Sequence, residues 1–492
     1  MKRTGLVILS VFIIFLNVNS QNVDDALRYS QLFYNGTARF MSMGGAFTAL
    51  GGDLSSLSIN PAGVGVYRSS EFTITPQLLY NNAKSVFNSS SSSNVLSYYN
   101  LGQIGVVVNL ISNDKTSGLI NLNVAYSFMK TNNFNEDITI KGISNNSSMA
   151  DYWVSNAEGI YYKNLDGAAG IAYDAWVIDT ITGSGASSYG TIFSNYGENT
   201  NSTYGQTIRR VITNSGYTGE HAFSVGGNYS DKVYFGATLG INRIIYTGHY
   251  EHLEADYDNV IQDFKNFTYT DHFEATGTGY SLKLGAILKP VDFIRIGFAF
   301  HTPVIYRIHE YFYDNITSAF DNNDSYNSSN DALRYSYTLA TPFRFNAGVA
   351  FQVKKLAILS ADYEILDYRT ARFSKASDDY NYDNENSSIQ TIYKAASNLR
   401  LGAEFRVSNF YLRGGYGHYG KAFKPGEINE NSVYNSLSCG IGFRQEKFFF
   451  DMAFANLSNK QKYLLYDDPG YLLPASISTS KNAFTATLGF KF

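Results

Sequence analysis

Few residues of this 492-residue chain stand in patterns that do chemistry. The run Gly415-Tyr416-Gly417-His418-Tyr419-Gly420-Lys421-Ala422 comes close to a phosphate-binding loop. Ala422, however, replaces the Ser/Thr such a loop needs, and the run alternates like a strand. His249 and His252, beside Glu251, Glu254 and Asp256, offer the ligand types of a metal site, but a solvated acidic loop accounts for them. Gly-x-Ser-x-Gly and His-Glu-x-x-His are both missing from the sequence, so a hydrolase elbow or a zincin helix has no support. The residues point to no enzyme, no cofactor and no metal. What remains are Arg295, Arg344, Arg400 and Arg413, each on the polar side of an alternating segment. An arginine so placed can hold a ligand carboxylate through two parallel hydrogen bonds. Equally it can be neutralised by Asp362, Glu364, Glu404 or Asp451, and an ion lattice is the expectation.

The segments carrying these arginines alternate with period two. Phe484, Ala486, Leu488, Phe490 and Phe492 share one face, with Thr485, Thr487, Gly489 and Lys491 opposite. Phe343 to Phe351, Val233 to Ile241 and Leu399 to Phe405 repeat the pattern. Strands of 9 to 11 residues with one apolar and one polar face suit a membrane barrel. A soluble sandwich also alternates, so connection lengths must decide.

Strands are expected near 71–82, 101–111, 117–131, 221–230, 232–249, 277–289, 292–306, 338–352, 356–369, 395–406, 409–420, 433–444, 447–456 and 482–492. Tight turns (112–116, 230–231, 290–291, 353–355, 407–408, 445–446) separate long connections (83–100, 132–220, 250–276, 307–337, 370–394, 421–432, 457–481). That regular alternation is the topology of an outer-membrane barrel with periplasmic turns and outer loops. The expected fold is thus all-β, a transmembrane antiparallel β-barrel of about fourteen strands over residues 71–492, in the outer membrane of a Gram-negative cell. The largest loop, 132–220, holds enough apolar mass, including Trp153 and Trp176, to fold as a cap or to hide a further hairpin. Phe492 would close the last strand as the signal read by the barrel assembly machinery.

Composition agrees. Tyr (40), Phe (35) and Gly (42) abound against 8 Pro, as many short strands with aromatic girdles require. A net charge of −4 offers no basic face for nucleic acid. Cys439, the single cysteine, can form neither an internal disulfide nor a multi-cysteine metal site. Lys2 and Arg3 followed by apolar Leu6–Leu16 and small residues at Val18–Ser20 read as a secretory signal over 1–20, the mature chain starting near Gln21. No later run is apolar for the 18 or so residues of a membrane helix.

Residues 21–70 precede the first strand and do not alternate. Gly44-Gly45 and Gly51-Gly52-Asp53 permit sharp turns, and Asn60-Pro61-Ala62 combines a polar side chain, a fixed φ and a small residue. A compact segment of this kind could plug a barrel lumen. This stretch resembles the N-terminal hatch of the FadL-type outer-membrane transport family, which includes the TodX-like aromatic-hydrocarbon channels, with its Asn-Pro-Ala signature. Thr341-Pro342-Phe343-Arg344 to Phe351, Tyr411 to Tyr416 and Phe450-Asp451-Met452-Ala453 are similar to that family's strands. The resemblance implies a fourteen-stranded monomer that passes long-chain fatty acids or other hydrophobic small molecules. Hatch movement would open the lumen, and a kink in an early strand would leave a lateral opening into the bilayer. Its surroundings would be outer-membrane lipid and lipopolysaccharide. Two other roles stay open: a non-transporting partner or shuttle in protein export, and a porphyrin (hemin) receptor.

Overall fold

The computed structural model describes residues 23–113, 117–181, 186–194, 203–467 and 473–492. The expected signal segment 1–20 and the start near Gln21 lie outside these residues, as does part of the expected turn 112–116.

The alternating segments form fourteen antiparallel strands. They are β1 (Glu71–Phe87), β2 (Ser90–Ser112), β3 (Leu119–Asn133), β4 (Thr207–Tyr229), β5 (Val233–Ala255) and β6 (Phe264–Val291). Next come β7 (Ile294–His301 and Ile305–Phe320), β8 (Leu333–Ala340 and Arg344–Val353), β9 (Ala357–Asp367) and β10 (Ala395–Val407). The last four are β11 (Phe410–Tyr419), β12 (Tyr434–Arg444), β13 (Phe448–Tyr463) and β14 (Ala475–Lys491). Each pairs with its neighbour in sequence, and β14 pairs back with β1 from Glu71↔Lys491 to Val86↔Ser476. Closure leaves no free sheet edge, which is what lets strands stand in lipid.

Side chains sort by face as the period-two pattern demands. Phe235, Leu239, Phe298, Phe345, Leu401, Leu412, Ile441, Phe484 and Phe490 are exposed outward, while Asn123, Asn346, Asp362, Arg400 and Asp451 are buried inward. A wall that is apolar outside and polar within makes sense only in a non-aqueous surround. No helix among the described residues is long and apolar enough to cross a membrane.

Several of the long connections are shorter than expected because the strands run past the apolar belt. Segment 83–100, expected as a loop, is a hairpin turning at Asn88 and Ser89, both with positive φ, the backbone that suits a two-residue hairpin turn. The Ser-rich tract pairs because the ladder needs only backbone groups, and inward Ala83 and Phe87 share a core with Ile138 and Ile140. In 132–220, Glu136–Ile143 pairs with the upper part of β4, and α1 (Met149–Ala157) and α2 (Gly167–Asp174) lie between them. Their core, centred on fully buried Trp153, takes residues from β1, β4, β6, β7 and β14 together. Strands from different sides of the barrel share it, so this insertion lies across the mouth.

Candidate functional site

The lumen is filled from the N-terminus. Residues 23–28 form a short helix against the loop helix Asp383–Ile392, where the Tyr393 hydroxyl donates to the Val23 carbonyl at 3.2 Å. The chain then descends through the lumen before entering β1.

Between Ser42 and Tyr67 it is compact and almost wholly buried. Gly44, Gly45, Gly51 and Gly52 all adopt positive φ, between 62° and 75°, which reverses the chain twice at little cost. Asp53 caps the turn that follows by accepting from Ser55 N (2.9 Å) and the Thr37 hydroxyl (2.7 Å). Asn60 caps Pro61–Val66, its Oδ1 accepting from Ala62 N at 3.1 Å. Its amide nitrogen donates to Thr48 O (2.6 Å) within the segment and to Ala286 O (3.2 Å) on the wall. Pro61 and Ala62 are buried beside β5 and β6.

The wall meets this segment with glycine. Gly236, Gly285, Gly297, Gly402 and Gly415 sit on five strands, each facing inward. A Cβ on Gly236 would overlap the Pro61 carbonyl, on Gly285 the Asn60 amide, on Gly297 the Thr48 carbonyl and on Gly415 the Gly44 nitrogen. At Gly236, Gly297 and Gly415 backbone thus lies directly against backbone, and at Gly285 against the Asn60 side chain.

Wall side chains then satisfy the segment's buried carbonyls. Arg295 donates to Leu50 O (2.8 Å), His301 Nε2 to Ile59 O (2.7 Å), Lys283 to Ser58 O (3.0 Å), Asn123 to Val64 O (2.7 Å) and Asn121 to Tyr67 O (2.6 Å). Asp362 accepts from Thr48 N at 2.7 Å.

Ion pairs complete the attachment. Arg39 of the inner segment binds Glu404 (2.9 Å); Glu404 binds Arg413 (2.6 Å), Arg413 binds Asp451 (2.7 Å) and Asp451 binds Arg444 (3.0 Å). Glu364 bridges Arg344 and Arg400, and Arg344 also reaches the Ser30 carbonyl. Of the four arginines singled out in the sequence, three therefore belong to lattices and Arg295 serves a carbonyl. His249 and His252 do not come together: His252 is buried against Glu254 (2.9 Å) and Arg210, while His249 faces out beside His272. No cluster of three or more His, Cys, Asp or Glu that could hold a metal occurs among the described residues.

Above this region the attachment changes. The β2–β3 ladder stops at Gln103↔Met129, and β2 runs on paired with β1 alone. The next carbonyls of β3, Thr131 and Lys130, accept from Phe33 N (2.6 Å) and Asn35 N (2.9 Å). Residues 33–35 thus act as a short substitute strand where β2 has left. Phe33 reaches across the lumen to Tyr419 and Tyr434, ring centres 5.0 and 4.6 Å away.

Beside it lies a partly open cavity lined by Phe33, Tyr34, Phe40, Met41, Leu79, Tyr98 and Leu457 among apolar groups. Asn81, Asn133, Lys481 and Arg400 add polar groups. The Arg400 guanidinium stands 5.8 Å from the ring centres of both Tyr34 and Tyr419, and among the described residues its Nε and Nη1 have no hydrogen-bond partner.

The substitute strand, Arg39, Lys283 and the inward glycines escaped the sequence reading. The glycines left a signal, since Gly236, Gly348 and Gly402 recur on the polar face of alternating segments. Residues 33–35 left none, because three residues carry no periodicity.

No protein-family profile and no curated protein matches the chain in sequence. In three dimensions it is similar to a Pseudomonas aeruginosa FadL homologue (TM-score 0.55, 12% identity, covering 94% of this chain and 99% of that one). It is also similar to the P. putida toluene transporter TodX (TM-score 0.53, 11% identity, 93% and 98%). The CymD monoaromatic hydrocarbon channel follows (TM-score 0.50, 11% identity, 93% and 97%). Across nearly the whole length of each chain, the shared property is the fold.

Proposed function

We propose that this FadL-type barrel is a passive outer-membrane channel for hydrophobic small molecules. The observation carrying the reading is the break in the β2–β3 ladder, covered by residues 33–35 and opening on a largely apolar cavity. Lipopolysaccharide hinders hydrophobic solutes from entering the outer leaflet. A lumen pocket with a side exit gives them a route that never passes through water. The toluene transporter TodX and the CymD monoaromatic hydrocarbon channel, which share the fold, fit the same reading.

In this account Gly44, Gly45, Gly51, Gly52, Asp53, Asn60, Pro61 and Ala62 form the anchored part of the hatch. Movement belongs to residues 32–36, whose release breaks two backbone bonds to β3 and exposes the gap. The unpartnered Arg400 donors favour a ligand with an acceptor head group, such as a fatty-acid carboxylate, over a plain hydrocarbon.

Cells expressing the protein should take up a labelled long-chain fatty acid faster than cells without it, and toluene to a smaller degree. Uptake of neither above background would refute the transport reading and move the export-partner and porphyrin roles ahead.

A further inference from the structure

The outer rim of the apolar belt is not uniform. On β11 to β14 and β1 the outward residues that end the belt are polar and uncharged, His418, Asn435, Asn456, Asn482 and Asn82, and the outward cations of this side, Lys460 and Lys84 flanking Ser478 in one row, stand beyond them, apart from the apolar belt. On β5 to β8 they are cationic. Arg243 and Arg307 stand directly opposite Thr278 from either side in one row of the sheet, Arg243↔Thr278↔Arg307. Two strand spacings put their backbones about 10 Å apart.

Their height on the wall fits an interface. From outward Leu288 to Thr278 on β6, ten residues at ~3.4 Å rise and ~40° tilt climb roughly 26 Å, the height of a barrel's apolar band. Immediately below the row lie Ile241, Tyr280 and Ile305, then Leu239 and Leu282, a shelf for acyl chains. Above it, exposed Arg334 stands over Tyr311, and exposed Lys375 offers its carbonyl to Arg307 at 2.7 Å. Arg243 donates to the Thr278 hydroxyl at 3.0 Å. Among the described residues none of these four cations has an ion-pair partner. Of the acids above the row, Glu251 pairs with Arg209 and Glu274 is hydrogen-bonded to His272. Unpaired guanidinium groups fixed above an apolar shelf match phosphates borne just above several acyl chains.

We propose that the outer face of β5 to β8 is a binding site for lipopolysaccharide, Arg243 and Arg307 taking the lipid A phosphates and the Tyr280 shelf taking its acyl chains. The site rests on the membrane placement proposed above but not on transport. A phosphorylated glycolipid held there would order the bilayer beside one side of the barrel and leave the β2–β3 break clear.

The test is native mass spectrometry of the purified full-length barrel in detergent, with bisphosphorylated lipid A as probe. Binding should weaken roughly thirty-fold in Arg243→Gln/Arg307→Gln, at about five-fold per cation. It should be largely retained in Arg243→Lys/Arg307→Lys. Unaltered protein should bind bisphosphorylated lipid A far better than the dephosphorylated form, a comparison that stands even if the variants fold poorly. Equal binding by the glutamine variant and the unaltered protein would overturn the site. Equal binding of phosphatidylglycerol and lipid A would overturn the assignment to lipopolysaccharide. Because the readout is on isolated protein, a failed uptake assay and a failed binding assay remain separate results.

Discussion

The inner segment is held in two different ways along its length. From Ser42 to Tyr67 its backbone lies against wall glycines, and side chains of β3, β6, β7 and β9 bond it at short intervals. From Phe33 to Asn35 two backbone bonds to one strand and two ring contacts across the lumen hold it in place. Removing the lower part would strand many buried polar groups at roughly 1 to 3 kcal/mol each. Releasing the upper part strands two, beside a cavity that can admit solute or water. A plug that stays while its upper strand moves follows from that difference.

The comparison can be broken most forcefully at Glu404, which joins Arg39 of the plug to Arg413 of the wall. Glu404→Ala leaves Arg39 buried without its acid and Arg413 with Asp451 alone, a loss of about 3 to 5 kcal/mol for a broken buried pair. Thermal unfolding of the purified barrel should shift down, and trypsin should cut after Arg39; an unchanged profile would mean the latch is not structural. A smaller effect is expected at Asn60. Asn60→Leu removes the donor to Thr48 O and Ala286 O and should cost roughly 1 to 3 kcal/mol, while fatty-acid uptake per folded barrel stays within about two-fold. Uptake lost with the barrel intact would move the gate back to Asn60-Pro61-Ala62.

How much of this could be read from the sequence differs between wall and lumen. The fourteen strands showed because a wall between lipid and a polar interior forces strict alternation, as in Phe343 to Phe351. Segment 83–100 misled because its Ser and Asn side chains resemble a loop, although its ladder uses backbone groups. Asn60 and the glycine pairs showed through residue type. Their partners did not, since Asn60 meets Ala286 and Arg39 meets Glu404 across 226 and 365 residues of sequence. Local pattern carries no such pairing. All four arginines face the lumen, but the Glu364, Glu404 and Asp451 partners of Arg344, Arg400 and Arg413 had to be seen together before lattice and ligand roles could be separated.

The smallest expected change concerns orientation alone. With Cys439→Ser as background, cysteines at Ser91 and Asn327 should react with an impermeant thiol reagent on intact cells, and one at Lys354 should not. Labelling at Lys354 would invert the assignment of loops and turns on which the outward placement of the mouth depends.

The central claim is that residues 33–35 are the moving element, and a reversible lock tests it most directly. Asn35 and Lys130 are bridge partners on neighbouring backbone, so cysteines at both positions in the Cys439→Ser background can be joined by a disulfide. A control pair at Leu57 and Thr238 joins plug to wall where the Thr238 hydroxyl already meets Leu57 O at 3.2 Å. Oxidation of the 35–130 pair should abolish uptake of the labelled fatty acid and reductant should restore it, while the 57–238 pair changes nothing. Undiminished uptake with the 35–130 disulfide formed, or loss of uptake with the 57–238 disulfide, would contradict the account.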